Sequence, residues 1–71
     1  MLGENEVYVI RLRTKFLVGC PYNNQAAIRF SDHKYDGYRT KKWETAKRLA
    51  KVIGGKVMKL NLLNGDLTGG W

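Results

Sequence analysis

Acid–base or metal chemistry in this chain has one histidine, one cysteine and six carboxylates to draw on. The densest grouping is Asp32-His33 with Asp36, which puts a base and two oxygen donors in one short stretch. No further ligand type or nucleophile stands beside it, and a loop histidine between acids is ordinarily a solvated one. Cys20, followed by Pro21, has no catalytic partner nearby in sequence and suits a small buried apolar position. A single thiol also excludes an intramolecular disulfide and a multi-cysteine metal site. Gly54-Gly55 comes after an amphipathic segment, the arrangement of a helix C-cap; a phosphate cradle would precede the helix. The expectation is a non-enzymatic protein with no catalytic residue, metal or cofactor.

Binding chemistry is better supplied. The chain carries thirteen Lys and Arg against six Asp and Glu, a net charge of +7. All thirteen cations fall between Arg11 and Lys59, with only Asp32, Asp36 and Glu44 among them. Such a surface attracts nucleic acid or an acidic protein face. The main candidate interface is the run Tyr35, Tyr38, Arg39, Lys41 and Lys42, continued by Lys47, Arg48 and Lys51. Tyrosines interleaved with cations stack on bases or anchor protein interfaces. Arg11, Arg29 and Lys59 form a second basic group. They come from three predicted strands and are expected on one open sheet face, with Arg13 and Lys15 at its rim. Arginines on an open face also serve solubility alone.

The elements that must position these groups follow from periodicity. Val7 to Leu12 alternates, with Tyr8, Ile10 and Leu12 on one face and Val7, Val9 and Arg11 on the other. Phe16-Leu17-Val18 resumes the apolar pattern. A tight hairpin is expected around Thr14, with one continuous strand from Val7 to Val18 as the alternative because no Gly or Asn marks the turn. Ala26, Ile28 and Phe30 alternate with Ala27, Arg29 and Ser31 as a third strand, and Ser31 to Arg39 is expected as an exposed loop. Thr40 is the predicted N-cap of a helix whose apolar stripe is Trp43, Ala46, Leu49, Ala50 and Ile53, with Gly54-Gly55 closing it. Lys56 to Leu63 is predicted as the last strand, with Met58, Leu60 and Leu62 inward and Val57, Lys59 and Asn61 outward.

The order β-β-β-α-β, or β-β-α-β, predicts an α+β fold: an antiparallel sheet of three or four strands with one helix on a single face. Residues 1–71 form one domain, with less ordered ends at 1–6 and 64–71; Trp71 either docks or stays mobile. A core this thin makes a homodimer advantageous. No apolar run approaches a membrane span and the N-terminus lacks a basic-then-apolar leader, so a cytoplasmic protein is expected. A helix-turn-helix is not expected, since the second amphipathic helix is missing.

Val7-Tyr8-Val9-Ile10, Ala27-Ile28-Arg29-Phe30, the helix Trp43 to Ile53 and the return Ile53-Gly54-Gly55-Lys56-Val57 together resemble small accessory proteins encoded by bacteriophages and prophages of Gram-positive hosts. The resemblance spans residues 7–62, and the Tyr35 to Lys42 stretch departs from the compact loops of that type. It implies a host-takeover or anti-defence role, anti-CRISPR-like: inhibition or modulation of a host nuclease or ribonucleoprotein complex in the host cytoplasm by covering a surface. The basic charge points away from DNA mimicry and towards an acidic protein patch or an RNA or DNA backbone. Direct, mainly sequence-independent nucleic-acid binding by a phage regulator is the alternative.

Overall fold

The structure, a computed structural model, describes residues 2–19 and 29–71. Cys20, the Pro21 to Asn24 loop and the predicted strand residues Ala26, Ala27 and Ile28 lie outside the described residues. Val7-Tyr8-Val9-Ile10, three of them β-branched, occupies the middle of β1 (Glu6–Leu12), and all four side chains are buried. β2 (Lys15–Leu17) and β3 (Phe30–Ser31) extend the sheet on one side; β4 (Lys56–Asn61) and β5 (Leu67–Gly69) extend it on the other. The five strands run in the order β3-β2-β1-β4-β5, with every pairing antiparallel. The fold is thus α+β with one α-helix on a face, and the sheet has five strands where three or four were expected.

The hairpin at Thr14 exists. Leu12 pairs with Lys15, leaving Arg13-Thr14 as a two-residue turn in which Arg13 takes φ 58°. A connection this short needs a residue with positive φ to match the strand twist, and here an arginine supplies it. The fifth strand was hidden in the Asn64-Gly65 signal, which makes a hairpin here instead of ending the sheet. Asn61 Oδ1 accepts from the Leu63 and Asn64 amides, and Asn61 N–H donates to the Asp66 carbonyl at 2.9 Å.

β1 and β2 pair only at Arg11↔Phe16 and Leu12↔Lys15. Beyond that the segment Gly37 to Thr40 comes between them. Tyr38 N–H donates to the Leu17 carbonyl at 2.6 Å, while Thr40 and Tyr8 exchange both main-chain bonds at 2.7 and 3.1 Å. The chain reaches this gap from a 3-10 turn, Lys34–Asp36, and leaves it into α1 (Trp43–Ile53). From this turn Lys34 Nζ donates to the Gly65 carbonyl, and the Tyr35 hydroxyl sits against Gly65.

Both sheet faces carry buried clusters, against the expectation of one open face. On the helix side Tyr8, Ile10, Leu17 and Val57 pack with Ala46, Leu49 and Ala50. On the other side Val7, Val9, Phe16, Met58 and Leu60 form a second cluster. β4 keeps its predicted period of two, but its faces are exchanged: Val57 is under the helix and Met58 and Leu60 face away from it, while Leu62 is exposed in the turn. Alternation alone cannot tell two apolar faces apart.

The helix ends as predicted. Gly54 adopts φ 73°, and Gly55 N–H donates to the Ala50 carbonyl at 2.8 Å. Its start is shifted. Lys42 is the N-cap residue, because Thr40 is held in main-chain pairing with Tyr8 and its Oγ1 accepts only the Lys42 amide, at 3.1 Å. Among the described residues no helix is long and apolar enough to cross a membrane.

The covered second face gives a direct test. Val9→Thr keeps the side-chain shape but strands a hydroxyl in that cluster, so it should lower stability by about 1–3 kcal/mol in urea unfolding. On an uncovered face the change would stay within about 0.5 kcal/mol.

Candidate polyanion interface

The helix presents its cations outward because its small and apolar residues are taken up by the sheet. Ala46 and Leu49 are fully buried, whereas Glu44, Lys47, Arg48 and Lys51 are exposed. Arg39, Lys41 and Lys42 are exposed on the approach to the helix. Glu44 is the one carboxylate within this group. Among the described residues the only ion pair is Lys15–Asp32, 3.4 Å apart and at the surface. The cations of the helix and its approach are therefore not neutralised from within the described part of the protein.

Lys41 and Lys42 stand at the helix end where cations are disfavoured. The helix N-terminus carries partial positive charge, and Lys42 supplies no side-chain cap although its φ of −95° and ψ of 114° suit one. A Ser or Asp there would serve the fold better.

The two tyrosines of the expected interface separate. Tyr38 is half-buried and packs on the helix-side core, while Tyr35 is exposed with its hydroxyl against Gly65. Arg39 Nη2 donates to the Tyr35 carbonyl at 3.3 Å, tying the approach to the 3-10 turn. Two other aromatics take the place beside the helix cations. Trp43 meets Tyr8 edge to face at 5.4 Å and Trp71 at 5.5 Å, and both indoles remain substantially exposed, at 39% and 48%. Lys47 Nζ lies 5.7 Å from the Trp43 ring centre and donates to the Trp71 main-chain oxygen at 3.1 Å. Trp71 thus docks, and Trp43 is a rim residue where a core one was expected. Gly69, at φ 94°, makes this possible, since a Cβ there would overlap the Trp71 ring.

The second basic group does not assemble as expected. The β1–β4 register sets Tyr8 opposite Lys59 and Arg11 opposite Lys56. Tyr8 and Arg11 are three residues apart on one strand, so Lys59 shares the helix-side face and Arg11 the other. Arg29 is exposed next to β3, and its carbonyl accepts the Val18 amide at 2.8 Å. Arg11 is joined instead by Arg13, whose carbonyl accepts its Nε at 2.6 Å, and by Lys56. Strand register is the signal that would have found Lys56.

The Asp32-His33-Asp36 grouping disperses as well. Asp32 turns to Lys15, the Ser31 hydroxyl donates to Asp36 at 3.4 Å, and the His33 amide donates to Ser31 Oγ at 3.1 Å. Among the described residues no three His, Cys, Asp or Glu side chains gather as metal ligands. No known protein family, curated protein or solved structure matches the chain.

Two outcomes test this geometry. Lys42→Ser should stabilise the protein by about 1 kcal/mol through capping, raising the melting temperature by roughly 4–8 °C, and Lys42→Asp should add to this through the helix dipole. No gain in either would mean that Thr40 already serves that end. Gly69→Ala should push Trp71 off Trp43, read as red-shifted tryptophan emission with the far-ultraviolet circular dichroism spectrum unchanged.

Proposed function

We propose that this protein acts by occupying a surface rather than by catalysis, and that the α1 face with its approach contacts the phosphate backbone of nucleic acid held in a nucleic-acid-processing complex. The observation that carries this is the group Arg39, Lys41, Lys42, Arg48 and Lys51, exposed and unpaired among the described residues. The positions of Lys41 and Lys42 add weight. Cations placed where they cost helix stability point to a role outside the fold.

Backbone phosphate is favoured over an acidic protein patch by the kind of cation. With Lys47 the group holds four lysines to two arginines, and lysine is depleted at protein–protein interfaces whereas it serves as a point charge on phosphates. The aromatics support the same partner, because exposed indoles beside cations suit base stacking at the edge of a backbone contact. The resemblance to phage accessory proteins supports the setting: an anti-defence modulator of a host nuclease or ribonucleoprotein complex, anti-CRISPR-like in covering a surface.

Binding of the purified protein to duplex DNA, single-stranded DNA and structured RNA over a salt series tests the reading. With four to five phosphates contacted, duplex affinity should fall roughly 10²–10³-fold between 50 and 200 mM salt. Charge reversal of Arg39, Lys41 and Lys42 together should abolish binding with no loss of thermal stability. Absence of binding to any naked nucleic acid at about 150 mM salt, where exposed charges are screened beyond about 8 Å, would transfer the interface to an acidic protein surface.

A further inference from the structure

Arg11, Arg13 and Lys56 meet on the sheet face opposite α1, in a groove flanked by Gly54-Gly55 on one side and Gly69-Gly70 on the other. Arg11 and Lys56 are directly opposed cross-strand partners, an arrangement that destabilises a sheet when the charges are alike. Protection against edge pairing does not account for them. β1 and β4 are interior strands, and the edges are β3 and β5. Arg13 sits in the turn at φ 58°, where glycine or asparagine is favoured, and its carbonyl takes the Arg11 Nε. That bond fixes the Arg11 guanidinium while leaving its two terminal nitrogens to reach outward. A non-glycine backbone held in the sparsely populated left-handed region recurs at ligand clamps and active sites. Among the described residues no carboxylate pairs with any of the three.

We propose that this groove is a phosphate-binding site, distinct from the α1 face, that takes a phosphate group of a polyphosphate or of a nucleic-acid strand. A dianion between Arg11 and Lys56 turns their repulsion into two attractions, and the arginine fork matches phosphate oxygens. The glycine main chain leaves the approach free of side chains. If the α1 face is also a backbone contact, the two surfaces lie on opposite sides of the sheet, and the protein can hold two strands or two segments of one.

Isothermal titration with sodium tripolyphosphate, at ionic strength held constant with chloride, tests the site. The wild-type protein should bind saturably. Lys56→Thr should weaken binding about tenfold, the loss of one charge-assisted hydrogen bond, and should melt above the wild type in phosphate-free buffer because the opposed charge is gone. Arg11→Gln should weaken binding at least as much. Arg29→Gln, next to the edge strand β3 and outside both basic surfaces, should change it less than about twofold. The proposal is overturned by non-saturable binding, by equal losses for Lys56→Thr and Arg29→Gln, or by a lower melting point for Lys56→Thr. Competition with a single-stranded oligonucleotide identifies the source: displacement assigns the groove to backbone phosphate, and simultaneous binding assigns it to a free polyphosphate. Failure of the α1 reading is separate. It would leave tripolyphosphate binding intact while charge reversal at Arg39, Lys41 and Lys42 left oligonucleotide affinity unchanged.

Discussion

The double burial of β1 is the constraint that the other elements answer. Val7, Tyr8, Val9 and Ile10 point alternately to two faces and all four are buried, so the sheet must be covered from both sides, and the described residues hold one α-helix. The segment after β3 meets the β4–β5 turn, where Lys34 and Tyr35 lie against Gly65, and then passes through the opening between β1 and β2. The main-chain bonds of Tyr38 with Leu17 and of Thr40 with Tyr8 satisfy the amides and carbonyls that this opening would otherwise expose. The helix is delivered to the first face by the same passage.

That route determines what the surface can offer. With the sheet faces taken up by packing, the exposed basic chemistry is displaced to the outer side of α1, to its approach and to the end of the sheet near the Arg13 turn. Tyr38 is drawn into the helix-side core by the passage, and Tyr35 is left beyond it. Trp43 is left at the rim, where Tyr8 and Trp71 hold it from two sides and Lys47 spans the indoles. The cationic and aromatic groups beside the helix are thus products of one packing solution, although the residues come from the helix and from the far end of the sequence.

Charge distribution and stability pull in different directions at several places. Lys41 and Lys42 sit at the positive end of the helix dipole, Arg11 opposes Lys56 across two interior strands, and Arg13 takes a turn conformation better suited to glycine. Each departure is small, on the order of 1 kcal/mol, but a domain of this size has little stability to spare. Their common feature is a cation without an acid partner among the described residues.

Much of the fold was legible along the chain. The period of β1, the apolar stripe Ala46, Leu49, Ala50 and its Gly54 cap each depend on neighbours within a few residues, and local sterics and hydrogen bonding set them whatever surrounds them. The excess of cations between Arg11 and Lys59 is likewise a property of composition. What only the tertiary structure decided involves partners far apart in sequence. Thr40 gave up the N-cap because Tyr8, thirty-two residues earlier, claimed its main chain. Lys59 left the company of Arg11, and Lys56 joined it, because the β1–β4 register fixed the faces. The pairing of β5 with β4 is what brings Trp71 to Trp43. Periodicity specifies which residues share a side of one strand; which side faces the helix, and which charges then meet, depends on long-range pairing that no local pattern contains.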